Sequence, residues 1–273
     1  MRTSLSFPSK AKARGASSFT LVEMLVAVTI LLFMMVVAVQ FVALASRSTI
    51  NDRKKIEALS AARQAFDRIG LDWKSRIARP DVAVALTKQA GNDEIAFVTQ
   101  MTSPGMNRPL SVVHFRISPA TGQLERGAVG YNWTGSSLPT FPLLTLPVPD
   151  ESAFQPLSLG VFRFEFSLLA KASGTQRPEY LAPPSTGSIT SVTNAQAIVL
   201  AVAAVDTVTL KLVSADQLKK MASALDDVET GDPAAAWKAS LNDSSFAKSS
   251  GVPPLVAQAV RVYERYYNVT FVP

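Results

Sequence analysis

Ser18-Phe19-Thr20-Leu21-Val22-Glu23-Met24-Leu25 decides the fold, because it opens a run from residue 24 to residue 46 that holds no charged side chain, proline or glycine. A run of that length crosses a bilayer as one helix. Glu23 stands at its mouth. An ionised carboxylate costs roughly 2.5–3.5 kcal/mol at a span centre and less near the edge, so Glu23 needs a partner. Ahead of it, Arg2, Lys10, Lys12 and Arg14 form a basic leader without one acidic residue.

Proline and glycine stay absent from residue 16 to residue 69. Beyond residue 46, Ile56, Leu59, Phe66, Ile69, Trp73 and Ile77 recur as one helical stripe. Asp52, Arg53, Lys54, Lys55, Glu57, Arg63, Asp67, Arg68, Asp72 and Arg76 fall between them, mostly placed for water. Residues 47–79 therefore read as an amphipathic continuation that packs on a sheet. Gly70 softens this helix and Pro80 ends it, since the residue before a proline avoids the helical region. A helix over 19–79 would be about 90 Å long at about 1.5 Å per residue, so half of it belongs to a head.

After Pro80 the period changes to two. Residues 81–86, 94–101, 110–118 and 123–131 are strand candidates, parted by Gly91-Asn92-Asp93, Ser103-Pro104-Gly105 and Pro119-Ala120-Thr121-Gly122. They predict an antiparallel meander. A proline-rich connection over 138–156 is too long for a hairpin and wraps over the sheet. Phe162, Phe164, Phe166 and Leu168 alternate with Arg163, Glu165 and Ser167 as a half-buried strand, and the apolar run 197–205 suits a central one. Between them, 171–194 reads as a mobile excursion. Residues 215–227, 233–241 and 253–267 are expected to be helical, the last from Leu255, Val256, Ala259, Val262, Tyr263 and Tyr266 at helix-like spacing. The expected class is α+β: a long N-terminal helix on an antiparallel sheet head, with short C-terminal helices.

The basic leader followed by Phe19-Thr20-Leu21-Val22-Glu23 resembles the signal of type IV pilin-like proteins, which include minor pilins and type II secretion pseudopilins. The likeness covers about the first fifth of the chain. It implies peptidase cleavage and N-methylation, a leader in the cytoplasm, and a head outside the inner membrane. It also implies a Glu23 that meets the α-amine of a neighbouring subunit. In the family a glycine precedes the cut and the glutamate is fifth. Here cutting after Gly15 keeps the glycine but makes Glu23 eighth, whereas cutting after Ser18 makes Phe19 first and Glu23 fifth. Three extra residues would move the amine by about 4–5 Å of helix. The late strands and the long loop between them resemble the end of a pseudopilin J or minor-pilin sheet, and the whole layout is similar to pilin-like cassette proteins of the Verru-Chthon type. The implied divisions are a leader 1–18 that is removed, an assembly helix 19–46, its continuation 47–79 and a head 80–273.

Charge near the anchor does not orient it: four basic residues precede the span, and Arg47, Arg53, Lys54 and Lys55 follow. The resemblance supplies the orientation instead. Ala43-Leu44-Ala45 before Ser46 looks like a secretory cleavage site, but the apolar part exceeds the usual signal length of roughly 7–15 residues. The formal charge of +6 falls to +2 without the leader, leaving 23 basic against 21 acidic residues. No basic stripe with interleaved aromatics follows, and no nucleic-acid partner is expected.

The chain has no cysteine, which excludes thiolate metal sites and thiol catalysis. His114, the single histidine, reads as a solvated or edge residue on a face with Val112 and Arg116. Asp226, Asp227, Glu229 and Asp232 near Gly231 lack the alternating carboxylates of a calcium loop and read as a solvated helix end. Gly127-Ala128-Val129-Gly130 lacks the lysine of a phosphate loop. No catalytic residue, metal or cofactor is expected, and the chain is not read as an enzyme. Two functions stay open. One is a structural subunit whose partners are prepilin peptidase, other pilin-like subunits and inner-membrane lipid. The alternative is a single-pass, membrane-anchored extracytoplasmic binding domain unrelated to filaments.

Overall fold

The computed structural model describes residues 20–102, 110–131, 142–143, 145–171, 179–181, 187–189, 192, 194–243 and 245–270, except the side chains of Arg47 and of 187–189. The residues up to Ile50 and those from Asn51 onward form two compact units. Gly15, Ser18, Phe19 and the expected turn at Ser103-Pro104-Gly105 lie outside the described residues, as do parts of 138–156 and 171–194.

Helix α1 spans Leu21–Lys74. Its apolar side chains before residue 46 are exposed to the surroundings, and the helix is long and apolar enough to cross a membrane. Within the second unit its face is set by Ala58, Ala62, Ala65, Phe66, Ile69 and Trp73, all buried. The stripe read from sequence is corrected at its start. Ile56 is 66% exposed, and alanines hold the contact because they let the helix backbone come close to the sheets. The helix also stops at Lys74, short of Arg79. Ile77 N–H donates to the Val98 carbonyl and Gln100 N–H to the Ser75 carbonyl, so the chain leaves the helix to run beside a strand.

Strands β1 (Val84–Lys88), β2 (Glu94–Thr99), β3 (Ser111–Ile117) and β4 (Leu124–Gly130) form the expected antiparallel meander, to which the structure adds β5 (Phe154–Ser158) beside β4 and β8 (Gly187–Ile189) beside β1. Among the described residues the head nevertheless holds two sheets. β6 (Val161–Ala170), β7 (Tyr180–Leu181), β9 (Ala195–Ala204) and β10 (Arg261–Asn268) make the second, in the order β10-β9-β6-β7. Phe97, Phe115 and Leu86 of the first sheet meet Phe164, Phe166 and Leu200 of the second in one core with α1. Gly160 joins β5 to β6 at φ +92, where a Cβ would stand 2.4 Å from the Val205 carbonyl oxygen.

The expected helix over 253–267 is a strand over its second half. Only Pro254–Ala257 is helical (α6); β10 then pairs residue for residue with β9, from Arg261 opposite Ala204 to Asn268 opposite Ala197. Valine and tyrosine suit a pleated surface, and the open edge of β9 overrides the helix-like spacing. β10 is bolted to α1: Tyr267 Oη donates to the Phe66 carbonyl at 2.7 Å, Trp73 Nε1 donates to the Asn268 carbonyl at 3.0 Å, and Arg265 pairs with Asp67 at 2.6 Å. Gly70 permits this approach, since a Cβ there would lie 3.2 Å from the Tyr267 ring.

The short helices α2 (Thr207–Leu210), α3 (Ala215–Ser223), α4 (Pro233–Asn242) and α5 (Phe246–Ser249) cover the other face of the second sheet, with Trp237, Leu218 and Met221 buried beside Ala201 and Ala203. β6 is therefore buried on both faces rather than half-buried. A register shift between Val161 and Arg163 adds one residue to the strand and turns Phe162 to the helical side, away from Phe164 and Phe166.

Candidate functional site

Thr20 precedes the first helical residue, and Glu23 lies three residues on. Thr20 N–H and Oγ1–H donate to Glu23 Oε2 at 3.0 and 2.9 Å, and Glu23 N–H donates back to Thr20 Oγ1 at 3.2 Å. This is the reciprocal pattern of a capping box, which satisfies donors that the first turn would otherwise leave bare. The sequence reading took Glu23 for its charge and missed this local role. The spacing Thr20-Leu21-Val22-Glu23 carries the signal. Around it Leu21, Val22, Met24 and Leu25 are all exposed, so the carboxylate sits at the end of an uncovered apolar surface.

The head holds a second concentration of charge, inside rather than outside. Arg163 and Glu165 of β6, expected to face water, are both buried. Lys88 at the end of β1 reaches Asp93 at 2.9 Å and Glu165 at 3.1 Å, and donates to the Phe166 carbonyl at 2.6 Å. Arg163 bonds Glu165 at 2.9 Å and also pairs with Asp227. Asp93 accepts from Phe166 N–H, and Glu165 accepts from Val228 N–H. Two cations and three carboxylates thus tie the β1–β2 turn to β6 and to the loop before α4. Joining β1 and the β1–β2 turn of the first sheet to β6 of the second, this cluster braces the two sheets.

Burial pushes the Asp93 carboxyl up to about 6, with the Glu165 charge adding and Lys88 opposing. A raised folded-state value means that the native protein binds this proton before the unfolded chain does. The stabilisation is fully present below the unfolded value and is lost as pH rises through about 6. Relative to Asp93→Asn, the head should therefore lose roughly 2–3 kcal/mol between about pH 4 and pH 7. Urea unfolding of both proteins at the two pH values measures it. A constant difference would mean that Asp93 titrates alike folded and unfolded.

The remaining candidates take structural places. His114 lies on an interior strand, half-buried instead of solvated or at an edge, with Nε2 3.1 Å from the Pro147 carbonyl; burial lowers its pKa. Asp227 accepts from Gly91 N–H, Asp226 from Ser240 Oγ, and Asp232 caps α4 through Ala234 N–H and Ala235 N–H. Asp226, Asp227 and Glu229 are exposed, as expected of a solvated cluster, while Asp232 starts a helix instead of ending one. Asp72, also expected in water, is buried in a two-pronged bond from Arg126 at 2.7 and 3.2 Å, with Arg68 at 3.3 Å.

No family model matches the sequence, and no curated protein matches it. Among solved structures, the chain is similar to a type IV-like pilin from Thermus thermophilus, with 12% identity and a TM-score of 0.38, over 78% of this chain and 96% of that one.

Proposed function

We propose that this chain is a minor pilin or pseudopilin subunit, cut by a prepilin peptidase, held in the inner membrane by residues 19–46, and assembled with other pilin-like subunits into a pilus or pseudopilus. The observation that carries this reading is Phe19-Thr20-Leu21-Val22-Glu23 at the start of a helix apolar enough to cross a membrane. Further support comes from the α+β head, in which residues 58–73 of the same helix pack on antiparallel sheets. The head occupies 80–273, in the periplasm before assembly. Its size favours a tip or initiating subunit over the repeating one, because bulk at every position crowds a filament.

Cleavage after Ser18 and methylation of Phe19 are expected, since that start makes Glu23 the fifth residue and begins the mature chain at the aromatic. Intact mass and N-terminal sequencing of membrane-extracted protein decide. A start at Ala16, after Gly15, would move the site, and a start at Ser46 would overturn the pilin-like reading.

A further inference from the structure

The second unit carries a groove of about 300 Å³ where its first helical turns meet α6 and the turn after α2. Leu212 and Leu255 line it and stand 70% and 81% exposed, an unusual state for two large aliphatic side chains on one concave surface. Lys54, Lys55 and Arg261 line it together with the neutral Asn51, Thr209 and Gln258, and no carboxylate does so among the described residues. Arg261 is held in place by donating from Nη1 to the Gln258 and Val260 carbonyls at 2.6 and 2.7 Å. Asp52 lies 3.6 Å from Lys55, but both are exposed and such a pair is weak.

We propose that this groove docks the head on anionic lipid head groups of the membrane in which the chain is anchored, an inference that rests on the anchoring part of the proposed function. Apolar tips among cations, with no acid in the lining, match a surface of hydrocarbon under phosphate. Chain length brings the lipid within reach: Asn51 lies five residues beyond the end of the apolar run at residue 46, at most about 18 Å even fully extended. The lysine stems lie along apolar surface while their ammonium groups reach phosphate. Docking would hold the head against the leaflet until assembly draws the chain out of the bilayer.

The absence of cysteine makes the test direct, because Leu255→Cys gives the full chain a single attachment point for a dye on an exposed residue. The protein is placed in nanodiscs of neutral phosphatidylcholine, or of phosphatidylcholine with about a quarter phosphatidylglycerol, and quenching by head-group spin-labelled lipid is read. Strong quenching is expected at Leu255→Cys in anionic discs only, and none at Val148→Cys, an exposed site off the groove. Lys54→Gln and Arg261→Gln should each lower the docked-to-free ratio by about fivefold. Quenching indifferent to lipid charge, or its absence in a chain that still enters the discs, would overturn docking while leaving the anchor intact. Disulfide-linked pairs through Leu255→Cys in neutral discs would assign the groove to a second copy and also overturn it. A chain that does not enter discs at all would fail the anchoring reading itself.

Discussion

Trp73→Ala is expected to lower the stability of the head by about 3–5 kcal/mol, a large share of the roughly 5–15 kcal/mol that holds an ordinary domain together. Trp73 is buried, meets the Phe97 ring edge-on at 5.2 Å, and donates from Nε1 to the Asn268 carbonyl. Truncation opens a cavity between helix and first sheet, and also leaves the β10 carbonyl without its donor. Phe66→Ala should fall in the same range, since Phe66 belongs to the same core. Ile56→Ala should stay within about 0.5 kcal/mol, because that side chain touches little but solvent. Chemical unfolding of a fragment from residue 47 onward gives all three values. Removing residues 56–79 as well should uncover Phe97, Phe115 and Phe164 and cause aggregation. A cooperative and equally stable fragment beginning at Pro80 would show that the helix is only a spacer.

Glu23→Ala should leave membrane insertion intact and abolish incorporation into sheared filaments, because the change makes the span more apolar while removing the carboxylate proposed to meet a neighbour's amine. The bonds to Thr20 add a second consequence. Alanine also deletes half of a capping box, worth on the order of 1 kcal/mol of helix stability. Glu23→Gln separates the two roles, since glutamine accepts the same hydrogen bonds without the charge. If the charge matters, Glu23→Gln should be as defective as Glu23→Ala when filament and membrane fractions are compared. Full incorporation of Glu23→Gln beside a defective Glu23→Ala would reduce Glu23 to a cap, and equal incorporation of both would leave it no assembly role.

Residues with one local job were legible. The charge-free run after Glu23 and the missing glycines and prolines up to Ile69 specify a helix by themselves, because helix formation depends on neighbours three and four positions apart. The meander was legible for the same reason: alternation and turn-formers lie within each hairpin. The Thr20 to Glu23 cap carries a local signal of the same kind in its spacing, although from sequence Glu23 is read only for its charge.

Long-range partners decided the rest. Residues 261–268 carry a spacing compatible with helix or strand, and the open edge of β9 selected the strand by supplying the pairing partners for its whole length. One bulge in β6 changed the face of Phe162, which no alternation count detects. Asp72, Lys88, Asp93, Arg163 and Glu165 look like surface residues in sequence because charge is costly to bury unless it is paired. Some of their partners are near in sequence, as Asp93 is to Lys88 and Glu165 to Arg163, but others lie far along the chain, 54 residues for Asp72 with Arg126 and 77 for Lys88 with Glu165. The sequence by itself determined the long N-terminal helix and the β1–β4 meander, while the strand at 261–268, the two-sheet arrangement and its buried charges were decided by tertiary structure, because only the folded chain gives a strand its pairing edge and brings opposite charges close enough to offset their loss of water.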